Sequence, residues 1–269
     1  MSNHHLAADV KPVKPVAAYL GGKSRLAKII VERINAIDHV TYAEAFVGMG
    51  GVFLRRTKKP KAEVINDYNQ ELATFFRVLQ RHYVAFLDMM KFQITTQAEF
   101  KRLSNTDPLT LTDLERAARF LYLQKTAFGG KASGQNFGVM QERPASFDIT
   151  KLGPMLEDVH TRLSGVVIMA LPYQEFIKRY DRSGTLFYLD PPYYGSESDY
   201  GKELFSRDDF EILAGILSGI DGRFILSLND MPEVRTIFSG FDIESVTTTY
   251  SIAAKQSGRG KAKEVLISN

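Results

Sequence analysis

The sequence contains no cysteine, and this absence excludes several kinds of chemistry at once. Without a thiol, the chain forms neither disulfides nor thiolate metal sites, and it has no cysteine nucleophile. No apolar run approaches the ~20 residues that a membrane-spanning helix needs. Residues 1–16 also lack the apolar core of a signal peptide and are expected to form a flexible tail. These absences are compatible with a protein of the reducing cytoplasm.

Neither sign of charge dominates the composition, since 34 basic residues face 31 acidic ones, for a net charge of +3. Such a balance permits a polyanionic partner without requiring one. Local clusters of basic residues are therefore the evidence for or against such a partner. The chain has 269 residues, of which 44% are hydrophobic. This is enough for one large domain, or for a domain that carries an insert.

Short apolar runs alternate with helical stretches from Thr41 onwards. Five runs have the continuous apolar character of buried parallel strands, namely residues 41–46, 62–67, 165–171, 185–190 and 223–228. Near the end, residues 241–252 and 264–268 flank a glycine-containing loop, as in an antiparallel hairpin. The pattern predicts an α/β fold with a doubly wound, mostly parallel sheet closed by a C-terminal hairpin.

The alternation stops between about Tyr68 and Ser164, where apolar residues recur at helical spacing, as at Leu114, Ala117 and Leu121. This stretch is expected to be an inserted, mainly helical second domain. The predicted division is a tail over residues 1–16, a main domain over 17–74 and 164–269, and the insert over 75–163.

A glycine-rich turn follows the first predicted strand in residues 43–54, with glycine at positions 48, 50 and 51 and a predicted helix after them. Glycines at such a turn let a nucleotide-like group approach the backbone near a helix N-terminus. A purely structural turn explains the pattern about as well. The dinucleotide-binding fingerprint is incomplete because Phe53 stands where its third glycine belongs, which argues against a dehydrogenase.

Asp67 ends the second predicted strand, about 20 residues after the glycine turn. An acidic side chain at that place can accept hydrogen bonds from ribose hydroxyl groups. The alternative is a helix cap for the segment that starts at Tyr68.

A second glycine-rich element, residues 18–30, precedes the first strand. It lacks the first glycine of a phosphate-binding loop, because Ala17 stands there, and no strand leads into it, so an NTPase is not expected. Lys23 in this turn is a candidate to bind a carboxylate or a DNA phosphate. Its alternative role is a solvated helix start.

The tetrad Asp190-Pro191-Pro192-Tyr193 directly follows the apolar strand of residues 185–190. If Asp190 and the carbonyl of Pro191 each accept one N–H of an exocyclic amine, the nitrogen moves toward tetrahedral geometry and its lone pair can point at an electrophile. The prolines restrict the backbone that aims these acceptors. Tyr193 offers a ring for a base that has left the duplex stack. The alternative is a rigid, solvent-facing turn.

Four segments resemble, in the same order, the motifs of Dam-like adenine-specific DNA methyltransferases, enzymes that use S-adenosylmethionine: residues 19–23, 46–54, 66–69 and 190–193. The resemblance implies a Rossmann-like methyltransferase sheet, with the insert of residues 75–163 as a target-recognition domain. Two positions depart from the family pattern: Tyr19 replaces a frequent tryptophan, and Gly51 often corresponds to serine. Neither change removes a functional group that the chemistry needs.

The resemblance also assigns roles to individual residues. The implied cofactor site consists of Tyr19, Lys23, Phe46, Gly48, Gly50, Asp67 and Asp190, and the implied catalytic group is Asp190, Pro191, Pro192 and Tyr193. In this arrangement Tyr19 and Lys23 border the amino-acid end of S-adenosylmethionine, and Asp67 holds its ribose. No metal is expected.

Two segments are candidates to contact DNA. The first, residues 125–139, contains Lys125, Lys131, Gln135 and Asn136 and no acidic residue, so that amides can contact bases and lysines can contact phosphates. A mobile surface loop is the alternative. The predicted hairpin loop contributes Lys255, Arg259, Lys261 and Lys263. A third basic run, residues 55–61, stands at a predicted helix end, where cations are favourable without DNA.

The sequence therefore predicts an enzyme that transfers a methyl group from S-adenosylmethionine to the exocyclic amine of adenine in DNA, by base flipping and direct in-line attack. The alternatives are a methyltransferase for the cytosine amine or for an amine in RNA or protein, and a DNA-binding module without catalysis. The expected partner is double-stranded DNA, with no membrane. The protein is expected to be a monomer or weak dimer in the cytoplasm of a bacterial or phage-infected cell.

Overall fold

The computed structural model describes residues 7–19, 21–127, 136–138, 145, 147–197, 205–249 and 261–269. In these ranges the chain forms a large sheet and a small one. The large sheet contains β2 (Thr41–Glu44), β4 (Ala62–Asn66), β5 (Val167–Met169), β6 (Thr185–Leu189), β7 (Arg223–Asn229), β8 (Asp242–Thr249) and β9 (Lys261–Ser268). The small sheet pairs β1 (Ala8–Asp9) with β3 (Lys58–Lys59).

The strands of the large sheet lie in the order β5-β4-β2-β6-β7-β9-β8. The first five are parallel, and β9 pairs antiparallel with both β7 and β8. The predicted fold class, a mostly parallel sheet closed by an antiparallel C-terminal hairpin, is confirmed. The chain runs outward from β2 to β5 and then returns to β6, so the strand order reverses between β2 and β6. In such sheets ligands bind outside the carboxyl ends of the strands at this reversal.

Both faces of the sheet are buried, because successive side chains of a strand point to opposite faces. In β6, Phe187 packs in a core cluster with residues of the helices on one face, and Tyr188 packs in the cluster on the other face. This explains the continuous apolar runs in the sequence. Three strands end slightly before the predicted positions, so Ala45, Asp67 and Asp190 are the first residues beyond them.

The helices are α1 (Ala27–Ala36), α2 (Gln70–Arg81), α3 (Tyr83–Met90), α4 (Gln97–Asn105), α5 (Asp113–Thr126), α6 (Ile149–Arg162), α7 (Tyr173–Tyr180), α8 (Asp209–Leu217) and α9 (Pro232–Ile237). Side chains of Asn69 and Thr112 accept backbone N–H bonds at the starts of α2 and α5, and Glu115 completes a capping box at α5. None of the helices in the described ranges is long and apolar enough to cross a membrane.

The stretch predicted as an insert, residues 75–163, is helical where the structure describes it, over α2 to α6. Helices α2, α5 and α6 share one hydrophobic cluster with sheet residues such as Ile65 and Tyr188. The proposed boundary at residue 75 falls inside α2, which runs from Gln70 to Arg81. The division into two domains therefore stays a proposal.

Two expectations differ from the structure. The glycine turn does not lead into a long helix, because a single 3-10 turn, Phe53–Arg55, follows it. The next residue, Arg56, is fully buried and binds Glu63 at 2.5 Å, which draws the chain into the core. The described part of the expected tail packs on the domain: β1 pairs with β3, and the apolar Val13 and Val16 are buried.

Candidate active site

A cavity of about 460 Å³ opens at the carboxyl ends of β2, β4 and β6. Of the residues predicted for the site, Tyr19, Lys23, Phe46, Gly48, Asp67, Asp190 and Pro192 line it. Lys125, predicted to contact DNA, lines it as well. The predicted residues Gly50, Pro191 and Tyr193 are described but do not line the cavity. The structure thus brings together most of the predicted cofactor residues at the point where the strand order reverses.

The glycine turn forms the floor of this cavity. Gly48 and Gly50 have φ angles of 49° and 76°, which side-chain-bearing residues rarely adopt. A Cβ atom on Gly48 would lie 3.1 Å from the ring of Tyr19, whereas one on Gly50 would lie 2.7 Å from Cγ of Leu54. Gly50 is not among the residues that line the cavity, and its predicted contact with a cofactor stays a prediction.

Asp67 joins the glycine turn to the start of α2. Its Oδ2 accepts from the backbone N–H of Gly48 at 2.9 Å, and its Oδ1 accepts from that of Asn69 at 3.0 Å. Burial raises the pKa of Asp67 to about 6, although both hydrogen bonds oppose the rise. The alternative role of Asp67 as the helix cap is wrong, because Asn69 caps α2.

Asp190 and Lys23 form the polar centre of the site. Lys23 Nζ lies 2.6 Å from Asp190 Oδ1, and its side chain is 2% exposed. Ser227 Oγ donates to the same oxygen at 2.9 Å. Burial raises the pKa of Asp190, and the charge of Lys23 and the bond from Ser227 oppose this rise. Both contacts recorded from described residues fall on Oδ1, so Oδ2 is available to a ligand.

Lys23 also contacts Tyr193, the last residue of the tetrad. Its Nζ donates to the Tyr193 hydroxyl at 3.0 Å and lies 4.4 Å from the ring centroid, a cation–π distance. The backbone beyond is held by a reciprocal pair of bonds, from Tyr194 N to Asn229 Oδ1 and from Asn229 Nδ2 to Tyr194 O. Tyr193 thus stands beside the cavity wall on a fixed backbone.

Three polar side chains under the tetrad were not predicted from the sequence. Tyr188 of β6 and Ser227 of β7 meet through their hydroxyl groups at 2.9 Å, and Glu264 of β9 lies 3.9 Å from Lys23 Nζ. Their proximity depends on strand pairing, which local sequence does not contain. One signal was present for Ser227, the single polar residue within the apolar run of residues 224–228.

Glu44 at the end of β2 was also missed. Its side chain lines the cavity, is 1% exposed, and accepts a 2.5 Å hydrogen bond from the Tyr42 hydroxyl. Burial raises the pKa of Glu44 to about 8, and the negative charge of Asp190 contributes to the rise. The position of this acidic residue within the apolar run of residues 41–46 is the feature of the sequence that could have indicated it.

The carboxyl groups of Glu44, Asp67 and Asp190 therefore share one cavity, and burial raises the pKa of all three. Of the three, Asp190 has a lysine partner at ion-pair distance among the described residues. A positively charged ligand would stabilise the ionised form of each carboxyl group. In the described part of the chain, no group of three or more metal-ligating side chains could hold a metal ion.

The residues predicted to contact DNA are distributed more widely. Lys131, Gln135, Lys255 and Arg259 lie outside the described residues. Asn136 is exposed, Lys261 begins β9, and Lys263 is exposed on β9. Glu264 pairs with Asn229, the last residue of β7, so Lys263 lies just beyond the carboxyl edge of the parallel strands, on the side where Asp190 ends β6. In the basic run after the glycine turn, residues 58 and 59 form β3.

The chain is similar to several known proteins. The model of the D12 class N6 adenine-specific DNA methyltransferase family matches residues 19–252. The Type II methyltransferase M1.LlaDCHI of Lactococcus lactis subsp. cremoris is 25% identical over 276 residues, covering 96% of this chain and 95% of that protein. The Type II methyltransferase M.CviBI of Paramecium bursaria Chlorella virus NC1A is 23% identical, covering 85% and 88%. Among solved structures, precorrin 8w decarboxylase of Methanobacterium thermoautotrophicum aligns with a TM-score of 0.40 and 12% identity, over 97% of this chain and 99% of that one.

Proposed function

The chain belongs to the D12 class N6 adenine-specific DNA methyltransferase family, and we propose that S-adenosylmethionine, bound in the cavity described above, is its methyl donor. The family confirms the predicted reaction, transfer of a methyl group to the amine of adenine in DNA. The alternative acceptors in cytosine, RNA and protein, and the inactive DNA-binding module, are set aside. The donor, the roles of single residues and the DNA contacts belong to the proposal.

The observation that carries the proposal is the set of three carboxyl groups, Glu44, Asp67 and Asp190, around one cavity. S-adenosylmethionine carries a sulfonium and an ammonium group, whose positive charges are opposite to those of the three ionised carboxyl groups. The sulfonium group holds the electrophilic methyl that the reaction needs. A cavity of about 460 Å³ is within the range of small-molecule sites.

The parts of the cofactor can be assigned to the cavity by chemistry. Asp67 has a carboxylate at the carboxyl end of β4, suited to accept hydrogen bonds from ribose hydroxyls. Phe46 and Tyr68 also line a second cavity of about 190 Å³ beside Pro172. Phe46 is held there by the rings of Tyr173 and Phe205, with centroids 5.6 and 5.9 Å away. We infer that the cofactor's adenine lies in this second cavity.

Asp190 orients the target amine. With Oδ1 held by Lys23 and Ser227, its Oδ2 accepts one N–H of adenine, and the carbonyl of Pro191 accepts the other. S-adenosylmethionine, when bound, would supply the electrophilic methyl group, and Asp190 and Pro191 would aim the nitrogen lone pair at it. The methylated nitrogen passes its surplus proton to Asp190, whose pKa burial raises. An adenine paired in a duplex cannot enter this arrangement, so the base must flip out of the stack.

Ser227 is a positioning residue in this proposal, because it acts on the amine through Asp190. Ser227→Ala removes one of two bonds to Oδ1, and we expect kcat to fall by about 10- to 100-fold, as for the loss of a hydrogen bond to a charged group. The dissociation constant of S-adenosylmethionine is expected to stay unchanged, because Ser227 lies behind the tetrad. Steady-state kinetics and calorimetry measure the two quantities. If Ser227→Ala weakens cofactor binding by the same factor as it lowers kcat, Ser227 supports the fold and does not align Asp190.

We propose that the DNA-binding face lies on the same side of the sheet. Lys261 and Lys263 lie in the first three residues of β9, at the carboxyl edge where Asp190 follows β6, so a DNA backbone held by the hairpin end would lie near the reacting group. Asn136, with Lys131 and Gln135, stays a prediction for base and phosphate contacts, as do Lys255 and Arg259. We propose that the enzyme acts on double-stranded DNA in the cytoplasm, as a monomer or weak dimer.

Cofactor binding tests the proposal directly. Wild-type protein should bind S-adenosylmethionine in calorimetry, and Asp67→Ala should weaken binding by about 1.5–3 kcal/mol, the contribution of hydrogen bonds to a charged group. The pKa of Asp67 is about 6, so its protonation should weaken binding to the wild type as the pH falls from 7 to 5. The variant, which lacks this carboxyl group, should lose that pH dependence.

Asp158→Ala is a matched control, because Asp158 is an exposed aspartate paired with Lys11 on the surface. It should bind the cofactor as the wild type does. If Asp67→Ala keeps wild-type affinity and the same pH dependence, Asp67 only holds Gly48 and Asn69. If the wild type binds no S-adenosylmethionine, the proposed donor is wrong.

A further inference from the structure

Three basic side chains, Lys14, Arg55 and Lys125, line the same cavity as the three carboxyl groups. Within the ranges that the structure describes, no ion pair joins any of them to a carboxylate. The arrangement proposed above does not use these cations. A cationic wall without a carboxylate partner is suited to an anionic group of a ligand.

These cations of the cavity wall belong to three separate elements. Arg55 ends the 3-10 turn after the glycines, and its Nη1 donates to the carbonyl of Gly51 at 2.5 Å. Lys125 lies in the last turn of α5. The residue before it, Gln124, donates from Nε2 to the carbonyl of Ala18 at 2.7 Å, which ties the end of α5 to the N-terminal segment that carries Lys14. The cations thus have a fixed framework.

Burial lowers the pKa of both Arg55 and Lys125, and no acidic neighbour among the residues that the structure describes offsets this effect. Each side chain therefore loses hydration without gaining a counterion from the described part of the chain. An anion in the cavity would supply that counterion. Lys125 was predicted to contact DNA, but its position on the cavity wall favours a small ligand inside the cavity.

We propose that Arg55 and Lys125, with Lys14 beside them, form a subsite for the carboxylate of the cofactor's amino-acid end. The inference rests on the proposed use of S-adenosylmethionine. That molecule carries a carboxylate and an ammonium on one carbon atom, and the cavity wall offers both cations and carboxylates. The subsite selects for the intact amino acid, because a ligand without the carboxylate leaves two partly buried cations without a counterion from the ligand.

Decarboxylated S-adenosylmethionine tests this subsite, because it keeps the sulfonium and the amine and lacks only the carboxylate. Calorimetry with wild-type protein should show about 10- to 100-fold weaker binding of this analogue than of the cofactor. Lys125→Met should weaken binding of the cofactor by a similar factor and bring the two ligands to nearly equal affinity. Lys125→Arg should restore part of the preference. Lys178→Met, at an exposed position on α7, is the matched control and should behave as the wild type.

Lys125 is the first choice for substitution, because Arg55 also holds the carbonyl of Gly51. If Lys125→Met does not fold, Arg55→Met with thermal melting as a check gives the same comparison. If the variant still prefers the cofactor over its decarboxylated analogue as strongly as the wild type does, the proposed subsite is wrong, while the proposed methyl donor is unaffected. If Lys125→Met leaves cofactor binding unchanged but reduces the salt dependence of DNA binding, the proposed subsite is also wrong. Lys125 would then contact a DNA phosphate. Absence of cofactor binding to the wild type is a different result, which contradicts the proposed donor.

Discussion

Asp190→Ala is expected to abolish methyl transfer, with a loss of about a thousandfold or more in kcat, because in the proposed mechanism one carboxyl group both aligns the amine and receives its proton. Oδ1 of Asp190 is held by Lys23 at 2.6 Å and by Ser227 at 2.9 Å. Alanine removes the acceptor and leaves Lys23, whose side chain is 2% exposed, without its carboxylate at that distance. Single-turnover measurement of methylated DNA reports the chemical step directly.

Asp190→Asn separates the two roles of the carboxyl group. Asparagine keeps one oxygen that can accept an N–H but cannot take up the proton at neutral pH. We therefore expect Asp190→Asn to retain more activity than Asp190→Ala and still far less than the wild type. Asp158→Ala, a change at the exposed ion pair with Lys11, is the control. Activity of Asp190→Ala within about tenfold of the wild type contradicts the assignment.

The sheet was predictable because its central strands are buried on both faces. Strand β6, Thr185–Leu189, carries no charged residue and no polar group except the hydroxyls of Thr185 and Tyr188, and all five residues are buried. Such a run is typical of a parallel strand whatever surrounds it. The short element after the glycine turn was not predictable in this way. Its length is limited by the buried ion pair of Arg56 with Glu63, two residues that lie in different elements.

The same distinction applies to the residues of the candidate site: those marked by the local sequence were predicted, and those brought in by strand pairing were not. Asp67 and Asp190 were found because each ends an apolar strand, which a single stretch of sequence contains. Ser227 and Glu264 were missed because they reach Asp190 and Lys23 only through the pairing of β6, β7 and β9. Lys125 was predicted to contact DNA because it begins a basic segment that contains glycines and no acidic residue, but its place on the cavity wall depends on how α5 packs.

Tyr193 provides the second large effect, since the ring is expected to stack on the flipped adenine. The tyrosine stands on a backbone fixed by the paired bonds between Tyr194 and Asn229, and its ring is 4.4 Å from Lys23 Nζ. Unstacking a base costs a few kcal/mol, and stacking on an aromatic side chain returns about 1–3 kcal/mol of it. Tyr193→Ala should therefore reduce turnover by about 10- to 100-fold, in line with that stacking energy.

Tyr193→Phe and Tyr193→Trp distinguish the ring from the hydroxyl group. Both keep an aromatic face, while phenylalanine removes the oxygen that accepts the 3.0 Å bond from Lys23. We expect both variants to retain more turnover than Tyr193→Ala, because the face of the ring matters more than the hydroxyl group. A small residual loss in Tyr193→Phe is the part that belongs to the bond with Lys23.

Base flipping itself is measured with 2-aminopurine at the target position of a DNA site independently shown to be methylated. The probe should brighten on binding, because its neighbours in the stack no longer quench it. Stacking on Tyr193 can quench the flipped probe, so Tyr193→Ala belongs in the comparison and should give the brighter complex. If neither protein changes the fluorescence, and if phenylalanine at this position gives no more turnover than alanine, the flipped base does not rest on Tyr193. The role of this residue would then be limited to its contact with Lys23.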